Sequence, residues 1–225
     1  MADSEGYSRS TEDYLKAIYK LESRGGAAQT SAIAEMLEVA PPSVSGMVKR
    51  LSESGLVEHV PYRGVQLTPA GRQAALRMIR RHRIIETYLI ERLQYDWDTV
   101  HDEAERLEHA VSDELIQRMA HALGNPEYDP HGAPIPTADG RVEEPDCTPM
   151  TEIPLSTPAE LRMVSDHDAE RLRFLASLGL KPGVRFVVSA RQPFNGPLTI
   201  RIINGESREQ VIGFELAKAL ACRVT

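Results

Sequence analysis

TSAIAEMLEVAPPSVSGMVKRLSESGLVEHV, residues 30–60, decides how this chain is read. In its first half Thr30 or Ser31 stands as an N-cap, and Ile33, Ala34 and Leu37 return to one side at helical spacing. A short turn over Val39–Pro41 follows. Pro42 suits a first helical turn, and Val44, Met47, Val48 and Leu51 carry an apolar face as far as a stop at Gly55. Two helices joined by a tight turn predict a helix-turn-helix. The next two runs, LVEHV and VQLTP, read as short strands joined by PYRG, with its Pro and Gly turn signals, and so predict a β-hairpin wing.

A helix-turn-helix followed by a wing is a device for reading double-stranded DNA, because its second helix fits the major groove, where base edges are distinguishable. Pro42 opens that helix. Ser43, Ser45 and Gly46 point outward early in it, and Lys49 and Arg50 later. Serines bond bases or phosphates, whereas Lys and Arg neutralise phosphate and steady the register. Arg63 sits at the wing tip, within reach of the flanking backbone. The alternative, a helical hairpin inside a larger domain, leaves the wing and the basic residues without a role.

Upstream, STEDYLKAIYKLESRG predicts a helix with Ser10 or Thr11 as its cap and a stop at Gly25–Gly26. Downstream, a long helix is predicted from Pro69 to about Gln94. A second runs from Thr99 through HDEAERLEHAVSDELIQRMAHAL to the Gly124–Asn125–Pro126 break. Residues 125–160 hold eight of the chain's 15 prolines and read as loop and linker. Beyond residue 160, one short helix over 168–178 sits among alternating strand patterns and turn glycines, which fits a small SH3-like β-barrel.

At 225 residues the chain has room for two or three domains. No apolar run approaches a membrane span or resembles a signal peptide, so no membrane partner is expected. Cys147 and Cys222 lack metal or disulfide spacing, consistent with a reducing, cytoplasmic setting. The net charge of −7 is unevenly spread. Residues 1–83 carry 12 Lys+Arg against 9 Asp+Glu, residues 84–160 carry 4 against 18, and residues 161–225 carry 10 against 6. A mildly basic N-terminal part suits a polyanion, and a strongly acidic middle part suits cations.

The middle part also has the geometry for cations. In HDEAERLEHA, residues 101–110, a helix would bring His101, Glu105, Glu108 and His109 to one face. Carboxylate oxygens and imidazole suit Mn(II), Fe(II), Co(II) or Zn(II). The preceding helix carries His82 and Glu86 at i, i+4, which antiparallel packing would set near His101. Asp13, early in the first helix, could add an oxygen. The plainer reading is a solvated acidic helix with incidental histidines. It leaves the self-repulsion of the middle segment unrelieved.

These residues resemble the DtxR/MntR family of metal-dependent transcriptional repressors over nearly the whole length. The resemblance rests on STEDYLKAIYKL, APPSVSGMVKRLSESGLV, YRGVQLTPAGR, RRHRIIETYL, VHDEAERLEHAVSDEL and PHGAPIP. It implies a mainly α fold with small β parts in three domains. These are a winged helix-turn-helix DNA-binding domain over 1–75, a helical dimerisation and metal-binding domain over 76–145, and a linker plus SH3-like (FeoA-like) domain over 146–225. It implies a homodimer that binds a palindromic operator when metal is present, and no enzyme activity or small organic substrate.

The resemblance also implies ligands. The regulatory site would use Asp13 with Glu105, Glu108 and His109. In the iron-responsive branch the positions of Asp13 and Glu105 hold sulfur ligands. Two carboxylates there favour Mn(II), with Fe(II) as the alternative effector and Co(II), Zn(II) or Cd(II) able to substitute in vitro. An ancillary site would use His82, Glu86 and His101, with Asp168 of SDHDAERLRFL (Asp166 and Glu170 are its neighbours) or with Asp129 and His131 of the loop before GAPIP. Lys16 stands where the short two-domain regulators carry an acidic residue, so separated sites are expected rather than a two-metal cluster. A metal shared by Asp13 and the second domain would fix the spacing of two recognition helices, with uptake of metal ions as the regulated process. Two rivals fit less well. A di-metal carboxylate oxidase leaves the winged helix without a place, and a winged-helix regulator of an organic ligand leaves the aligned carboxylates unexplained.

Overall fold

A computed structural model of the chain describes residues 7–23, 25–60, 62–143, 145–165, 167–204 and 208–225. They form two compact units. One is built from the chain up to His82 together with Pro136–Val142, and the other from Arg83–Ile135 with Glu143–Thr225.

In the first unit, α1 (Arg9–Glu22), α2 (Thr30–Met36) and α3 (Pro41–Glu53) precede a hairpin of β1 (Val57–Val60) and β2 (Gly64–Leu67) and the start of α4 (Pro69–Leu93). The faces expected for α2 and α3 are the buried ones: Ile33 and Ala34 of α2 and Val44, Met47, Val48 and Leu51 of α3 share one core with Leu15 and Ile18 of α1 and with Val57 and Val65. Each large aliphatic side chain sealed there contributes about 1.5–3 kcal/mol. The caps differ from expectation. Ser8, not Ser10 or Thr11, caps α1 by accepting from the Thr11 N–H at 3.3 Å. Gln29 occupies the N-cap of α2 without a side-chain bond, so Thr30 and Ser31 are already helical.

The wing is held from behind. Glu22 accepts from the Leu67 N–H at 2.6 Å and pairs with Arg72 at 2.9 Å, joining the end of α1 to β2 and α4. At Gly64, with φ of +115°, a Cβ would lie 2.1 Å from the Ala28 carbonyl oxygen, so the strand-to-segment approach at the wing base requires glycine.

The second unit takes the rest of α4, then α5 (Val100–Leu107) and α6 (Asp113–Ala122). The single helix expected from Thr99 to the Gly124 break is therefore two. Ser112 adopts an extended conformation and caps α6 by accepting from the Leu115 N–H, while Glu108–Val111 turn. SDE is a helix start embedded in a helical pattern, and the cap prevails over the periodicity. Ile84, Ile85, Leu89, Val100, Ala104 and Ile116 close this core.

The C-terminal part of the unit has β3 (Thr148–Pro149), a 3-10 turn (Met150–Glu152), β4 (Pro158–Met163), α7 (Ala169–Ser177), β5 (Arg185–Arg191), β6 (Leu198–Ile202), β7 (Arg208–Ile212), α8 (Phe214–Lys218) and β8 (Ala221–Val224). The six strands order as β3-β8-β4-β5-β6-β7, all pairings antiparallel. Register shifts at Leu161/Met163 and Val188/Ala190 let the sheet curl around Leu161, Phe186, Val188 and Ile200, giving the SH3-like barrel. α8 lies in a segment read as strand. Gly213 is extended at its start, and Ala217 anchors it in the barrel core. Among the described residues no helix is long and apolar enough to cross a membrane.

Candidate metal centre

The buried polar residues of the chain concentrate at the turn of α4 around Glu86 and in the loop after α6. His82 and Glu86 occupy successive turns of α4, both buried, as the i, i+4 spacing predicts. His101 on α5 turns Nδ1 to Glu86 Oε1 at 3.0 Å, and its Nε2 lies 3.7 Å from Glu105 Oε1, one turn on. The expected His101–Glu86 proximity is thus present.

Asp129 and His131 are placed by their loop. Asp129 Oδ1 accepts from the N–H groups of His131 at 2.8 Å and Ala133 at 2.9 Å, an Asx-type turn that fixes the carboxylate. At Gly132, with φ of +87°, a Cβ would lie 1.7 Å from the Arg162 carbonyl oxygen, and the Val164 N–H donates to the His131 carbonyl at 3.0 Å. The loop is thereby pressed against the end of β4. Trp97 Nε1 donates to the Pro130 carbonyl at 3.0 Å.

His131 Nε2 lies 2.9 Å from the Trp97 carbonyl oxygen, which only accepts, so this nitrogen carries the proton. In the tautomer with Nε2–H, Nδ1 is the nitrogen available to accept or ligate, and it lies 3.9 Å from Glu86 Oε2. Ligand atoms of Glu86, Asp129 and His131, all buried, lie within 4.8 Å of one another. Asp129 Oδ2 and His131 Nδ1 are buried atoms with no hydrogen-bond partner. Such atoms without a hydrogen bond are costly in the interior. Arg83 stands near Asp129 Oδ2 as a counter-charge, at 3.4 Å, and two hard carboxylates with an imidazole are a donor set that could hold a divalent cation. The residues fit a metal. Burial, followed by repulsion from Glu86, pushes the Asp129 carboxyl up to about 6, while Arg83 and His131 pull the other way.

The remaining expected ligands lie as follows. Glu108, fully buried, ends α5 as its C-cap, with Oε1 3.4 Å from His109 Nε2. Asp13 is on α1, half-exposed and 4.0 Å from Arg9. Asp168 is exposed and caps α7, accepting from the Arg171 N–H at 2.9 Å. Its neighbour His167 instead faces His101, with Nδ1 to Nε2 at 3.3 Å and the rings edge-on at 5.0 Å between centroids. Asp166 lies outside the described residues. His167, Trp97 and Arg83 were not singled out from the sequence. No spacing marks His167 or Trp97, although Arg83 sits inside the quoted RRHRIIETYL.

In the first unit, Pro42, Ser43, Ser45, Gly46, Lys49 and Arg50 all lie on the exposed face of α3, and a Cβ at Gly46 would meet no atom within 4 Å. Lys49 reaches Glu53 at 3.9 Å. Arg63 is exposed at the wing tip beside Tyr62, an exposed aromatic with φ of +63°.

Three family models match successive stretches of the chain. Residues 7–65 match the iron dependent repressor N-terminal DNA binding domain, residues 68–137 its metal binding and dimerisation domain, and residues 148–224 the FeoA domain. The iron-dependent repressor IdeR of Mycobacterium leprae is 34% identical over 190 residues, covering 79% of this chain and 83% of that protein. The chain belongs to the DtxR/MntR family of metal-dependent transcriptional repressors. The structure of a manganese-dependent transcriptional repressor in complex with manganese superimposes on it with a TM-score of 0.87 and 38% identity, covering 96% of this repressor and 100% of that chain. The manganese regulator SloR superimposes with a TM-score of 0.77 and 31% identity, covering 96% and 98%. The repressor is thus a DNA-binding, non-enzymatic protein with a dimerisation domain.

Proposed function

We propose that this repressor responds to Mn(II), binding a palindromic operator as a homodimer when loaded and controlling genes of metal uptake from the cytoplasm. The observation that carries the metal assignment is the donor set. Glu105, Glu108 and His109 offer carboxylate oxygens and imidazole, and Asp13, assigned from the family resemblance, adds a further carboxylate. Hard oxygen donors favour Mn(II) over softer ions. Glu86, Asp129 and His131 form the ancillary site, with His101 and His167 at its edge and His82 one turn away on α4. Asp168 contributes by capping the helix behind His167. The domains are taken as 1–75 for DNA binding, 76–145 for dimerisation and metal binding, and 146–225 for the linker and SH3-like domain.

A bound divalent cation supplies the positive charge that lets these carboxylates stay ionised together. The protein contributes the rest. Trp97 orients His131, the Asx turn orients Asp129, and Glu86 aligns His101. Ligands drawn from both the DNA-binding and the dimerisation domains make one domain arrangement more stable than others, which is a shift of population toward the DNA-competent form. α3 then presents Ser43, Ser45 and Gly46 to base edges, and Lys49, Arg50 and Arg63 to phosphates.

Fe(II) is the second reading, favoured by the identity with IdeR proteins. Operator binding titrated with Mn(II) and, anaerobically, with Fe(II) decides between them. The Mn(II) reading expects activation at a free concentration well below that needed for Fe(II). The reverse order overturns it.

A further inference from the structure

Arg83 stands one residue after His82 on α4, with its side chain largely buried. Its Nη1 donates to the Pro134 carbonyl, so the guanidinium is anchored to the loop backbone. Its Nε then comes to rest 3.4 Å from Asp129 Oδ2 as an ion pair without hydrogen-bond alignment, and that oxygen has no hydrogen-bond partner. Asp129 Oδ1, by contrast, is saturated by two backbone N–H groups. The anchor thus holds a permanent positive charge beside a ligand oxygen without occupying that oxygen. An arginine stays protonated under any condition the protein meets.

We propose that Arg83 is an affinity-setting residue of the ancillary site: its guanidinium stands in for the cation beside Asp129 in the metal-free protein and, remaining in place, weakens the divalent ion that binds there. The inference rests on the reading of Glu86, Asp129 and His131 as a metal site. Two opposite consequences follow from one charge. Without metal, Arg83 offsets the repulsion between the buried Glu86 and Asp129 carboxylates. With metal, it is a like charge close to the ion. The site is therefore held at an affinity that responds to changing supply rather than saturating permanently.

The test uses the full-length protein, with free Mn(II) counted by electron paramagnetic resonance and the chelator-treated protein melted by circular dichroism. Arg83→Gln keeps an N–H donor and removes the charge, Arg83→Met removes both, and Arg83→Lys keeps the charge. Arg83→Gln and Arg83→Met are expected to bind Mn(II) at this site about tenfold more tightly than wild type, the order expected when one like charge near the ion is removed. Their metal-free melting temperatures should fall, and Arg83→Lys should stay near wild type in both. Asp129→Asn is expected to lose one Mn(II) per chain. Equal or weaker Mn(II) binding in the two neutral variants, with Asp129→Asn still losing one ion, overturns the role of Arg83. Unchanged stoichiometry in Asp129→Asn overturns the site itself and the proposal with it.

Discussion

His131 donates through Nε2 to the backbone carbonyl of Trp97 at 2.9 Å while its ring stacks on the Trp97 indole, centroids 5.2 Å apart at 25°. One residue thus sets both the tautomer and the plane of the imidazole proposed as a metal ligand. Trp97 also packs against the barrel core and lies under Lys181 at 5.0 Å. Trp97→Phe should keep the stack and lose the bond to Pro130, costing about 1 kcal/mol. Trp97→Ala, half-buried rather than sealed, should cost about 2–3 kcal/mol. Urea unfolding of chelator-treated protein measures both.

Asp129 gives the metal-free protein a pH dependence. Its carboxyl stands at about 6 in the fold against 3.8 for the unperturbed group, so the folded state holds the proton more tightly. The stability it contributes is fully present below about pH 4 and is lost as pH rises through about 6. The full loss amounts to about 3 kcal/mol. Asp129→Asn should flatten this part of the stability profile between those limits. Added Mn(II) should reverse its sign, because the ion requires the carboxylate.

Gly132→Ala should be among the most damaging single-methyl changes in the second unit. Its φ of +87° and the 1.7 Å approach to the Arg162 carbonyl force the loop off β4. Strain of this kind costs more than about 1 kcal/mol. The expected result is loss of ancillary Mn(II) with the Glu105, Glu108 and His109 region still binding, read by Mn(II) stoichiometry.

On α3, the type of residue predicts the type of defect. Lys49→Ala should weaken binding about equally across operator variants and reduce the salt slope by about one phosphate per protomer. Ser43→Ala should change preference among base substitutions and leave the slope intact. Fluorescence anisotropy across a salt series separates the two.

The sequence disclosed the winged helix-turn-helix because its signals are local. The apolar faces of α2 and α3 and the turn residues of PYRG all lie between Thr30 and Gly64, and each is read without tertiary information. His82, Glu86 and His101 were legible for a related reason, as helical spacing places them on faces. The break between α5 and α6 was not legible by period alone, because Glu108–Val111 keep the helical pattern and only the Ser112 cap interrupts it. The placement of His167 beside His101, and of Trp97 under His131, is a product of packing between segments 34 to 66 residues apart, which leaves no periodic trace. Asp168 shows the converse: an acidic residue beside ligand-type neighbours serves as a helix cap.

The central claim is that metal bound by Asp13, Glu105, Glu108 and His109 governs operator affinity. The most direct test is operator affinity measured against free Mn(II) for wild type, Asp13→Ala and Glu105→Ala. The account predicts tight binding by the wild type only as Mn(II) is raised, and loss of that response in both variants. Equal, metal-independent affinity in all three would contradict it.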